Sequence, residues 1–204
     1  DIICTINEAN LTSCFAHSFP NYPPEGIKTF LPFVDEAAKS CGSNLDNFGP
    51  FLFGHPYKIR DCMMEAHRKA FPVIKENLNN NQPVGITLSI MDYQCIEGGE
   101  EERDKAHAES VDICLDQIKD DDFLGVQMYT RHTFGPDGII MPDINTADML
   151  VMGYEYYPES VENVLRYVGP KINCPMIVTE NGIGTDDDQQ RINYITTALE
   201  GLQR

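Results

Sequence analysis

Pro175-Met176-Ile177-Val178-Thr179-Glu180-Asn181-Gly182 is an apolar, β-branched run that ends abruptly in a carboxylate and a turn. Such a run reads as a strand. Ile2-Ile3-Cys4-Thr5-Ile6-Asn7-Glu8 repeats the pattern at the other end of the chain. A strand buried on both faces has no place for a charge, so each Glu is expected at the C-terminal mouth of its strand. In a parallel α/β barrel, active sites form at that mouth. Two carboxylates facing each other across it are the apparatus for cleaving a glycosidic bond. Taken singly, either Glu is more simply a solvated loop residue.

Two further strands read as Val84-Gly85-Ile86-Thr87-Leu88-Ser89-Ile90 and Phe123-Leu124-Gly125-Val126-Gln127-Met128-Tyr129. Helical spacing separates them. One helix starts near Ile59 with Met63, Ala66, Ala70 and Ile74 on one face. A second covers residues 99–119, with an acidic start and Val111, Cys114, Leu115 and Ile118 inward. A third follows Pro158 with Val161, Val164, Leu165 and Val168. A last helix, capped by Thr185, is expected to turn Ile192, Ile195, Leu199 and Leu202 inward. Phe134-Gly135-Pro136-Asp137-Gly138 has the composition of a hairpin tip. Residues 19–56, rich in Pro and Gly, read as a long loop insertion with short helical pieces over 27–40.

Four strands alternating with four helices predict an α/β fold: a partial (β/α)8 TIM barrel of about four βα units with parallel strands. A closed barrel has eight strands and about 250 residues. Residues 1–204 are therefore expected to form a single partial-barrel domain, a fragment of a longer catalytic domain. Half a barrel has two raw sheet edges and an uncovered apolar face, so the chain expressed alone is expected to be poorly soluble or inactive.

Composition narrows the function. Charged residues at 23% and hydrophobic residues at 42% describe a globular protein. A net charge of −17 argues against nucleic acid, whose phosphates need clustered Lys and Arg. The acidic clusters 100–102, 120–122 and 186–188 are most simply solvated helix ends, and none follows the alternating ligand spacing of a calcium loop. Seven scattered cysteines without a Cys-x-x-Cys speak against a disulfide framework or a zinc site and suit a reducing, cytoplasmic setting. Five histidines form no His-x-x-x-His pair, so no metal is expected. No apolar run of about 18 residues occurs, so no membrane span is expected.

Thr5-Ile6-Asn7-Glu8-Ala9-Asn10 and Val178-Thr179-Glu180-Asn181-Gly182-Ile183-Gly184 resemble the two signature motifs of family 1 glycoside hydrolases, the β-glucosidase family, and stand in that family's order. Asp122-Phe123-Leu124-Gly125-Val126-Gln127-Met128-Tyr129-Thr130 is similar to the family's strand-six segment. Met152-Gly153-Tyr154-Glu155-Tyr156-Tyr157-Pro158 resembles its lead into the sixth helix, and Arg191-Ile192 with Tyr194-Ile195 its late helical pattern. The resemblance implies strands four to seven of the barrel and cleavage of β-glucosides or short oligosaccharides with retention, without a cofactor. It makes Glu180 the nucleophile, Glu8 the acid/base, Asn7 the partner of the sugar 2-hydroxyl and Tyr129 the hydrogen-bond donor to Glu180. Without the resemblance, Tyr129 is a core aromatic at a strand end. Departures are Ala9 for the usual Pro, Gln127 for Asn, Met128 for Tyr and Tyr154 for Trp; they bear on subsite detail and leave both carboxylates in place. Alternatives are a barrel glycosidase with β-galactosidase or 6-phospho-β-glucosidase specificity, a non-catalytic sugar-binding relative, and an inactive fragment.

Overall fold

The computed structural model describes residues 1–19, 33–44, 48, 54–145 and 148–204. Most of the long loop expected over 19–56 lies outside these residues. Within it, α2 (Phe33–Ser40) forms a helix in the stretch expected to hold helical pieces. Upstream lie β1 (Ile3–Cys4) and α1 (Leu11–Ser18), and downstream the 22-residue α3 (Pro56–Asn77).

The four expected strands are present and parallel. They are β1, β2 (Val84–Ser89), β4 (Phe123–Gln127) and β7 (Met176–Glu180), ordered β1-β2-β4-β7. Edge strand β1 is short, yet its pairing continues past Cys4. Thr5 N donates to Gly85 O at 2.9 Å, and Thr87 N donates to Ile6 O at 3.2 Å. The chain is thus half of a curled parallel barrel.

Alternation along the strands divides the sheet's two faces. Ile86 and Leu88 of β2, Leu124 and Val126 of β4, and the half-buried Met176 and Val178 of β7 point to the helices and form the core. Helical residues Met64, Val111, Cys114, Leu115, Val161, Val164 and Val168 meet them. The opposite face holds Thr87, Gly125 and Thr179. A Cβ on Gly125 would lie 2.4 Å from Thr87 Cγ2 and 3.1 Å from Thr179 Cγ2, so only glycine lets the two threonines close over this strand.

A second, three-stranded sheet was not expected. It comprises β3 (Asp92–Cys95), β5 (Arg131–Gly135) and β6 (Gly138–Ile140). Its parallel pair arises because β2 and β4 both run on past the mouth, so their extensions β3 and β5 meet again beside each other. The antiparallel β5–β6 hairpin turns at the expected tip.

α4 (Glu100–His107) continues through a π-helical turn, Ala108–Asp112, into α5 (Ile113–Leu115), and its expected inward residues are buried. α6 (Ser160–Val168) likewise buries Val161, Val164 and Val168. Two helix faces differ from the expectation within this chain. In α3 the buried set is Pro56, Arg60, Met64 and His67; of the expected stripe, Met63 packs half-buried against the core and Ala66 is exposed. The polar members are held by partners: His67 Nε2 lies 3.1 Å from Asp121 Oδ1, and His67 Nδ1 lies 2.8 Å from Thr5 Oγ1.

In α7 (Asp188–Gln203) the expected inward residues point out. Ile192, Ile195, Leu199 and Leu202 are each 44–55% exposed, while Tyr194, Ala198 and Gly201 are buried. The small residues Ala198 and Gly201 let α7 approach α6 closely; a Cβ on Gly201 would stand 3.1 Å from Glu162 Cβ. Packing against α6 therefore selects the small face and leaves the large one uncovered. The cap is Asp187, whose Oδ1 accepts from Gln189 N at 2.9 Å, rather than Thr185. Among the described residues, no helix is long and apolar enough to cross a membrane.

Candidate active site

The C-terminal ends of β1, β2, β4 and β7 bring Asn7, Glu8, Thr87, Ser89, Gln127, Tyr129 and Glu180 together. The backbone departs from regularity at both glutamates. Glu8 has φ 48, in the left-handed region that L-residues other than Gly, Asn and Asp seldom occupy. Its N–H donates to Thr87 Oγ1 at 3.3 Å, and its carbonyl accepts from Leu11 N at 3.0 Å, so bonds on both sides hold the turn. Asn10, fully buried, fastens the next turn: its Nδ2 donates to Ser89 O (2.7 Å) and Ser110 O (2.9 Å), and its Oδ1 accepts from Ser89 N (2.9 Å).

At the other carboxylate the device is a bulge. Gly125 pairs with Ile177 and Val126 with Val178, but Gln127 pairs with Glu180, so β7 has one extra residue, Thr179. Strict alternation would send Glu180 to the helix side, two residues after Val178. The extra residue returns it to the face of Gln127. Bulges beside active sites commonly re-aim a side chain in this way.

Hydrogen bonds then link three of the four predicted site residues, Asn7, Tyr129 and Glu180. Tyr129 OH donates to Glu180 Oε2. Gln127 Nε2 donates to Glu180 Oε1 and to Asn7 Oδ1, both at 2.8 Å. Thr87 Oγ1 donates to the same Asn7 oxygen at 2.9 Å. Tyr129 is itself anchored, because the buried Tyr194 donates its hydroxyl to Tyr129 O at 2.8 Å and Asn181 Nδ2 donates to Met128 O at 2.8 Å. Burial, then the bond to Glu180 and that carboxylate's charge, push the Tyr129 phenol well above its ordinary range. It therefore remains a donor.

The two carboxylates sit in unlike surroundings. Each oxygen of Glu180 accepts a hydrogen bond, an arrangement suited to an anion. The carboxyl of Glu8 is raised from its ordinary value chiefly by burial, with the negative charge of Glu180 adding to the rise and a Ser89 hydrogen bond opposing it. Sequence reasoning named Asn7, Glu8, Tyr129 and Glu180, which the structure brings to one mouth, but gave no part to Thr87, Ser89, Asn10 or Tyr194. Gln127 figured only as a departure. The signal available for these was position alone: Asn10 lies inside the first motif, and Gln127 two residues before Tyr129 on a strand of period two.

Among the described residues, no cluster of His, Cys, Asp and Glu is arranged to hold a metal ion. No family model matches the chain. A curated β-galactosidase of Saccharolobus solfataricus is 25% identical over 178 residues, an alignment covering 70% of this chain and 35% of that protein. The crystal structure of a β-glycosidase superposes with TM-score 0.86 at 33% identity, over 98% of this chain and 48% of that one. The apo structure of a β-glucosidase gives 0.80 at 26% identity, over the same shares. A β-glycosidase from Pyrococcus horikoshii, at 22% identity and TM-score 0.64, shares the fold. The chain spans about half the length of the solved structures it matches. With four parallel strands in barrel order and both motif glutamates at their mouths, the chain folds as one half of a TIM barrel, similar to the matching half of these β-glycosidase structures.

Proposed function

We propose that the protein carrying this chain is a family 1 glycoside hydrolase that cleaves β-glucosides with net retention. The observation that carries this reading is the contrast between two carboxyl groups at one mouth. Glu180 receives donors on both oxygens, while Glu8 is raised by burial and by the charge of Glu180. Pairs of titratable groups set in opposed environments mark acid and base assignments.

In this reading Glu180, ionised, attacks the anomeric carbon as Glu8 gives its proton to the departing glycosidic oxygen. The bond from carbon to leaving group breaks, the bond from carbon to Glu180 forms, and the alcohol leaves neutral. Esterification removes the charge of Glu180. Glu8 then loses one reason to hold a proton and serves as the base that activates water in the second step. Asn7 meets the sugar 2-hydroxyl, a contact that strengthens as oxocarbenium character develops. Tyr129 orients Glu180. The chemistry asks for no cofactor, and the seven unpaired cysteines support a cytoplasmic setting.

The curated relative's name favours a second choice of sugar, β-galactosides, over the same machinery. Aryl β-glucoside and aryl β-galactoside offered to the full-length protein decide between them by relative kcat/KM. Proton NMR of the first-formed sugar tests the mechanism. The β-anomer is expected; initial release of the α-anomer, or no turnover of either glycoside, would overturn the proposal.

A further inference from the structure

We propose that Gln127 is a positioning residue that fixes which way Asn7 faces the substrate and couples that choice to Glu180. The inference rests on the glycosidase reading above. Gln127 is 1% exposed, and its amide has two hydrogens, both spent: one on Asn7 Oδ1 and one on Glu180 Oε1, each at 2.8 Å. Its own Oε1 is buried with no partner among the described residues. Turning the amide over would satisfy nothing, because that oxygen would then face two acceptors. The side chain accepts an unpaired carbonyl in order to keep its N–H groups on these two targets.

The consequence falls on Asn7. Its Oδ1 already accepts from Gln127 and, at 2.9 Å, from Thr87 Oγ1. If the Asn7 amide flipped, its NH2 would confront the NH2 of Gln127. Asn7 is thus locked with oxygen toward the strands and Nδ2 toward the open mouth, where the described residues give it no acceptor. It can offer a sugar only a donor, so the hydroxyl it meets accepts from it. The same Gln127 amide steadies Glu180 Oε1, so a loss at one target disturbs the other.

The test uses the full-length protein with Gln127→Met, which keeps length and volume but has no N–H, together with Asn7→Ala, the double variant, and paired aryl glycosides with and without a 2-hydroxyl. On the 2-hydroxy substrate each single variant is expected to lose roughly 10–100-fold in kcat, with KM changed far less. The double variant should fall less than about tenfold below the worse single, since both act on the Asn7 contact and only the bond of Gln127 to Glu180 adds to it. On the 2-deoxy substrate the loss from Gln127→Met should shrink several-fold. Gln127→Leu, of similar size and also without an N–H, should reproduce the loss and covers the case where the Met variant does not fold. Losses that multiply in the double variant, or are equal on both substrates, would overturn the role of Gln127. Wild-type protein that turns over neither substrate would instead refute the glycosidase reading on which it rests.

Discussion

The two faces of the four-stranded sheet obey different rules. On the helix side, Ile86, Leu88, Leu124 and Val126 follow strict alternation, are fully buried and belong to one apolar core. At the mouth alternation is broken twice, by the left-handed Glu8 and by the bulge at Thr179, and polar side chains share hydrogen bonds across three strands. One face is organised to exclude water, whereas the other spends backbone regularity to aim two carboxylates. Stability and activity should therefore separate by face.

The largest effect should come from Glu180→Gly. Removing a nucleophile costs on the order of 10⁵-fold or more in kcat, while the thermal midpoint of the full-length protein should move far less than for a core substitution, because Glu180 lies outside the apolar core. Leu124→Ala reverses the pattern: about 2–5 kcal/mol of stability is lost to the cavity, with kcat per folded molecule nearly unchanged. Activity assays set beside denaturant unfolding curves check both. Large effects of either variant on both measurements would erase the distinction between the faces.

A smaller effect sharpens it through pH. The carboxyl of Glu8 is raised in the fold, so its protonated form persists above the pH at which an exposed Glu would ionise, and the basic limb of kcat/KM should be displaced upward accordingly. Esterifying Glu180 removes the like charge, so titration of Glu8 should move down, though burial still opposes ionisation. Stability has a matching sign. A raised carboxyl loses folding free energy as pH climbs from its unfolded value through its folded one, so Glu8→Gln should match wild type at acid pH and exceed it at neutral pH. No gain at neutral pH would mean that Glu8 is solvated like an ordinary surface residue.

Much of the helix-side face was legible in the sequence, because apolar periodicity reports burial directly. The four parallel strands and the inward faces of the second and third expected helices follow from it. At α7, the last helix of this half barrel, two stripes compete, and within this chain the smaller one is covered. Tyr194, Ala198 and Gly201 carry less hydrophobicity than Ile192, Ile195, Leu199 and Leu202, yet fit closer to α6. Periodicity failed at α3 because Arg60 and His67 are polar and are buried only by virtue of distant partners. The second sheet was missed because β3 and β6 are short and their pairing depends on where β2 and β4 end. At the mouth, the motifs located Glu8 and Glu180. The bulge that orients Glu180 and the shared amide of Gln127 have no local signature, since both depend on the register between strands far apart in sequence.

The mechanism turns on Glu180 being the nucleophile at a mouth it shares with Glu8. The direct measurement is peptide mass mapping of the full-length protein after incubation with an activated 2-deoxy-2-fluoro-β-glucoside, which forms the glycosyl-enzyme and hydrolyses slowly. One sugar should be attached per molecule, on the carboxylate of Glu180, consistent with carboxyl groups about 5–5.5 Å apart, as retention requires. An adduct on Glu8 or any other residue, or turnover through an inverting pathway with no adduct, would contradict it.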